Sequence, residues 1–214
     1  MDQEPSIGRI IVSDACVAEG ADWLAARDAG LARGYAACAP LPLRLRAEGF
    51  AELLSAIVSQ QVSVASAKAI WGRLEAAGLH DRAAMARADD VALRAVGLSR
   101  QKMRYARALA QSDVDFDALR RMPDDAVIDT LTQVTGIGVW TAEIYAKFSL
   151  GRADAFAAGD LALQEGARML YALEARPTEK ELRAMAEAWR PWRSVAARIL
   201  WAYYAQEKRR EGIG

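Results

Sequence analysis

Leu131-Thr-Gln-Val-Thr-Gly-Ile-Gly-Val-Trp-Thr-Ala-Glu-Ile-Tyr145 decides the reading of this 214-residue chain. A helix-forming run from Asp124 to Val134 meets a tight turn at Thr135-Gly136-Ile137-Gly138. A second helical run follows from Val139 to about Phe148. Glycine serves where backbone takes positive φ or lets a partner come close, and two glycines around one apolar residue do both. Ile137 is expected to face inward and pin the turn. Successive N–H groups then point outward at the start of the second helix, a place that suits an anion, phosphate above all. Taken alone, the pattern reads equally well as plain punctuation between two amphipathic helices.

Outward from this stretch, alanine, leucine, arginine and glutamate fill long segments and β-branched alternation is nearly absent, which predicts an all-α chain. The length suits one sizeable domain or two small lobes sharing a cleft. Lys+Arg and Asp+Glu are each 28, so any positive field must be local. Cys16 and Cys38 form no metal-ligand spacing and read as buried thiols rather than a disulfide. No stretch is apolar enough to span a membrane, and the acidic start, Met1 to Pro5, is unlike a signal peptide. A cytoplasmic location is the expectation.

The apolar run Ile7 to Val12 is expected to begin the fold as an extended segment. Helices are predicted over 21–37, with Gly30 and Gly34 weakening it, over 50–58, and from about 64 with Ile70, Trp71 and Leu74 at helical spacing. Others follow over 88–96, stopped by Gly97, and over 100–111, capped by Ser99. A short turn at 119–122 precedes the hairpin. Beyond it lie a helix over 161–173, one capped by Thr178, and a last one through Tyr204. Lone His80 sits in a turn with no catalytic role. Lys208-Arg209-Arg210 reads as a solvated helix end, and Gly212 to Gly214 as a frayed tail. The division is discontinuous: 50–148 forms a central lobe, and 1–49 plus 149–214 the other.

The loop Asp154-Ala-Phe-Ala-Ala-Gly-Asp160 ends in an acid at the start of a helix. Such an aspartate is first of all an N-cap, yet a cap is compatible with catalysis, since helix N–H groups and the dipole favour a carboxylate. Gln60 and Gln61 break an apolar register and read as a solvated turn.

Hairpin and loop together resemble the signature of the helix-hairpin-helix DNA glycosylases, in the DNA-3-methyladenine glycosylase II branch. The likeness runs from about Phe50 to Tyr204. It implies a two-lobed all-α fold with the active-site cleft between the lobes, and hydrolysis of the N-glycosidic bond of alkylated purines in base excision repair. Asp160 matches the catalytic aspartate, which stabilises positive charge on the sugar and positions the attacking water; Asp154 opens the same loop and is the weaker candidate. Where the family usually has a proline, this chain has Ala157 and Ala158, so a looser loop is expected. At the hairpin position where lyase-competent members carry a lysine stands Trp140. It cannot form a Schiff base, which implies a monofunctional enzyme.

The resemblance places Trp140 and Trp201 in the base pocket, where aromatic faces attract cationic bases, and Tyr145 is a further candidate there. Gln61, with Gln60 beside it, falls at the wedge that fills the space left by a flipped nucleotide. Leu98 lies in a second loop that resembles one bordering the DNA, and it reads as a buried anchor there before it reads as a second, apolar wedge. Gly136, Ile137, Gly138 and Thr141 form the phosphate-binding hairpin, with Lys147 as a helper. A monovalent cation, Na or K, is implied on the carbonyls of Thr132, Val134 and Ile137, with no iron–sulfur cluster. The expected partner of this monomer is double-stranded DNA bearing alkylated bases. Two other readings remain: a damaged-DNA-binding hairpin protein without catalysis, and an unrelated helical scaffold.

Overall fold

The computed structural model describes residues 7–210, so the acidic start and the glycine tail lie outside the described residues. Among those described the architecture is helical, in the order α1 Asp14–Ala25, α2 Ala29–Cys38, α3 Phe50–Ser59, α4 Val64–Ala76, α5 Arg82–Arg87, α6 Asp90–Ala95, α7 Arg100–Gln111, α8 Phe116–Leu119, α9 Asp124–Thr132, α10 Val139–Phe148, α11 Leu161–Tyr171, α12 Glu179–Ala186 and α13 Arg193–Arg210, with a 3-10 turn at Glu187–Trp189. The chain divides into two compact units, one from Arg46–Tyr145 and the other from the segments on either side, so the boundary falls inside α10. Among the described residues no helix is long and apolar enough to cross a membrane.

In the unit made of both flanking segments, α13 packs against α2 and α11. Its core is Leu24, Leu31, Leu163, Leu170, Ile199 and Leu200, joined by Trp189 and Trp192. Gly166 lets α11 approach α13 closely: a Cβ there would sit 2.6 Å from the Leu200 carbonyl oxygen. The extended segment expected near the start is present, with the Ile11 N–H bonded to the Gly151 carbonyl at 2.7 Å and the Ala153 N–H to the Arg9 carbonyl at 3.0 Å.

The single helix expected over 21–37 is two. Asp28 interrupts it, accepting the Leu31 N–H at 2.9 Å as the cap of α2, while its other oxygen receives the Tyr171 hydroxyl at 2.8 Å and the Trp189 indole N–H at 3.1 Å. Three donors on one carboxylate fix a corner that propensity cannot show. Gly30 does not weaken a helix so much as make room, since a Cβ there would lie 2.4 Å from the Tyr171 ring.

The Arg46–Tyr145 unit is built around α3, whose Leu53, Leu54, Ile57 and Val58 are buried, and around α7, which packs against α3 and α5. Short helices begin on aspartate caps at Asp81, Asp89 and Asp115. α5 has no counterpart among the expected helices, and α8 begins three residues ahead of the turn expected at 119–122. The last helix continues past Tyr204 to Arg210. Cys16 and Cys38 are free thiols, half-buried.

Candidate active site

Within the Arg46–Tyr145 unit the hairpin is closed by two short bonds, Val134 N–H to the Leu131 carbonyl at 3.1 Å and Ile137 N–H to the Val134 carbonyl at 3.0 Å. Ile137 is buried, as expected of the turn's anchor. Gly136 is required twice over. Its φ is +99°, and a Cβ would lie 2.3 Å from the Tyr105 ring. Gly138 is required by neither constraint: a Cβ there would meet nothing within 4 Å. It leaves the approach to the first turn of α10 clear, where a helix has N–H groups without intrahelical partners. Val139 and Trp140 follow, 47 % and 48 % exposed.

Gln60 and Gln61 part company. The Gln60 amide donates to the Gly136 carbonyl at 3.1 Å, tying its loop to the hairpin. Gln61 is exposed and holds φ at +56°, a strained backbone for a residue with a side chain. Behind this loop the buried Lys102 ammonium donates to the Val58 carbonyl at 2.6 Å, and burial pushes the Lys102 pKa down.

Of the two readings of Leu98, wedge and buried anchor, the anchor holds: it is 4 % exposed and does not stand out as a wedge. Three other expected roles need correction. Tyr145 is buried, and its hydroxyl accepts the Gly49 N–H at 2.8 Å; burial pushes its pKa up to about 12, and it closes the base of α3 rather than lining a pocket. The Thr141 side chain is buried, leaving only its backbone N–H to serve an anion. Lys147 is fully buried and unavailable to a phosphate. Arg94, Arg100, Arg104 and Arg107 line a hollow of about 530 Å³ together with Asp90, which pairs with Arg94 and Arg107. The 100, 104, 107 spacing on one helix face was legible in the sequence.

In the other unit the loop from Asp154 to Asp160 is held firmly. Asp154 is taken up in ion pairs with Arg190 and Arg193 at 2.9 Å, which removes it as a candidate. Ala157 and Ala158 are fully buried. The Asp160 N–H bonds to the Ala157 carbonyl at 3.0 Å, and the Gln164 amide to the Ala158 carbonyl at 2.9 Å. The looseness expected without a proline is absent.

Asp160 caps α11, its Oδ1 accepting the Ala162 N–H at 2.9 Å and the Leu163 N–H at 3.0 Å. The Trp201 indole N–H donates to the same oxygen at 3.1 Å. Three N–H donors on one oxygen fix the rotation of a carboxylate that is only half-buried. The Trp201 bond spans 41 residues and carries no local signal. Trp201 is half-buried and stacks on Phe148, ring centroids 5.7 Å apart.

Among the described residues no group of three or more His, Cys, Asp or Glu side chains could hold a metal ion. The carbonyls of Thr132, Val134 and Ile137 are neutral oxygens at one turn, a donor set that suits a hard monovalent cation; that of Val134 already accepts one N–H, leaving its second lone pair.

Residues 54–192 match the family described as "HhH-GPD superfamily base excision DNA repair protein". DNA-3-methyladenine glycosylase 1 of Schizosaccharomyces pombe is 31% identical over 163 residues, 72% of each chain. The crystal structure of a DNA-3-methyladenine glycosidase from Bacillus halodurans superposes with a TM-score of 0.80 at 34% identity, covering 89% of this chain and 91% of that one. The S. pombe 3-methyladenine DNA glycosylase in complex with abasic DNA superposes with a TM-score of 0.73 at 28% identity, covering 86% and 95%.

Proposed function

The chain belongs to the HhH-GPD superfamily of base excision DNA repair proteins, and on that premise we propose that it is a monofunctional DNA-3-methyladenine glycosylase of the II type. Its substrate is double-stranded DNA carrying alkylated purines, and it works as a monomer. The carrying observation is Asp160, a half-buried carboxylate at a helix start whose rotation is fixed by three N–H donors. As the bond between C1′ and the base nitrogen breaks, its electron pair leaves with the base and positive charge gathers on the sugar. A fixed carboxylate stabilises that charge without reorganising, and water, oriented by the same group, adds to C1′ and gives up a proton to solvent. N-alkylated purines are cationic and leave readily, so little acid assistance is needed.

The hairpin amides from Gly136 to Thr141 hold a DNA phosphate. A monovalent cation on the carbonyls of Thr132, Val134 and Ile137 would add positive charge to that anion site. Trp140 stands where a Schiff-base amine would be needed, so no covalent intermediate forms. Methylated duplex should therefore release free 7-methylguanine and leave the strand intact until alkali is added. A protein–DNA adduct trapped by borohydride would contradict this.

Gln61 serves as the wedge. Its exposed side chain stands on a left-handed backbone position, and a glutamine can hydrogen-bond the widowed base. Gln61→Ala should slow excision from duplex by roughly tenfold and leave both single-stranded substrate and the melting temperature unaffected. Equal slowing on both substrates would remove this role.

A further inference from the structure

The Lys147 side chain is fully buried in the unit that carries Asp160. Its Nζ lies 4.1 Å from the centroid of the Trp201 ring and 5.4 Å from that of Phe148. These two rings stack with an interplanar angle of 22°. A second buried cation, the Arg198 guanidinium, lies 5.2 Å from the Phe148 ring. It bonds to the Ser194 hydroxyl at 2.7 Å and the Leu43 carbonyl at 2.9 Å, and burial pushes its pKa down to about 10.

Burying charge is costly unless neighbouring groups favour the charged form. What the two cations share is an aromatic pair whose outer member, Trp201, donates its indole N–H to Asp160. A cation against the face of an indole draws on its π electrons. The ring N–H becomes more acidic and a stronger donor, and bonds in series polarise one another.

We propose that Lys147 is a positioning residue for base excision that acts on Asp160 through Trp201, strengthening the indole bond that fixes the carboxylate against the sugar. This rests on the reading of Asp160 as the catalytic carboxylate. Lys147 touches neither DNA nor the reacting atoms in this account, and its charge, not its bulk, is what matters.

The test is a double-mutant cycle on the whole protein, with Lys147→Met, Trp201→Phe and the pair. Single-turnover release of 7-methylguanine, affinity for abasic-site duplex and melting temperature are read for each. Lys147→Met should slow excision about tenfold with affinity unchanged within about twofold, and Lys147→Arg should restore most of the rate. In the Trp201→Phe background, which keeps an aromatic ring and loses the indole N–H, Lys147→Met should add nothing further. Multiplicative effects, or an unchanged or faster rate in Lys147→Met, would overturn the proposal.

If Lys147→Met fails to fold, Lys147→Gln takes its place in the cycle. A readout independent of activity is the Trp201 indole proton resonance, identified by its loss in Trp201→Phe; it should move upfield when the charge is removed, and a fixed resonance would also overturn the proposal. Failure of the underlying reading looks different: Asp160→Asn would then excise as fast as the parent, whatever Lys147 does.

Discussion

Asp160→Asn is expected to lower single-turnover excision of 7-methylguanine by roughly 10³-fold while the protein folds and binds abasic-site duplex as before. Asparagine is as good an N-cap as aspartate, so its oxygen can keep the bonds from Ala162 and Leu163 that open α11. The indole N–H of Trp201 retains an acceptor as well. What disappears is the negative charge. Removing one group preorganised for the charge of a transition state typically costs about 10² to 10³ in rate. Stability should change by less than about 1 kcal/mol. A variant that keeps a tenth or more of the parent rate, with an unchanged melting temperature, would show that the carboxylate is only a cap.

The second large effect separates the two hairpin glycines. Gly136→Ala should destabilise the Arg46–Tyr145 unit by about 2–4 kcal/mol, combining a left-handed φ with overpacking. The new methyl would fall 2.3 Å from the Tyr105 ring at φ +99°. Binding to abasic-site duplex should be lost along with the turn. Gly138→Ala meets nothing within 4 Å, so its stability should stay within about 0.5 kcal/mol of the parent. Its affinity for duplex should nonetheless fall, by roughly tenfold, because the methyl stands before amides that a phosphate must reach closely. Urea midpoints and duplex titrations at one fixed salt concentration measure both. Unchanged affinity in Gly138→Ala would argue that the hairpin is structural punctuation.

The contrast between these glycines marks what was legible. Gly136-Ile137-Gly138, the cap at Asp160 and the polar break at Gln60-Gln61 are local patterns, and each stands where the sequence puts it. The residues misread are those whose fate is settled at a distance. Tyr145 looks like a pocket aromatic until Gly49, far back in the chain, takes its hydroxyl. Lys147 looks like a phosphate ligand until burial removes it from solvent. Thr141 turns inward for the same reason. The Asp28 corner needed Tyr171 and Trp189, more than 140 residues away. Ala157 and Ala158 were expected to loosen their loop, but small buried residues hold it through backbone bonds and close packing.

The claim that a fixed carboxylate answers positive charge on the sugar is tested most directly by a charged analogue of the abasic site. Duplex with a cationic pyrrolidine at the lesion position should bind the parent protein at least about a hundredfold tighter than the same duplex with a neutral tetrahydrofuran, as transition-state analogues do, and Asp160→Asn should erase most of that preference. Equal affinity for the two duplexes, or a preference that survives Asp160→Asn, would contradict the account.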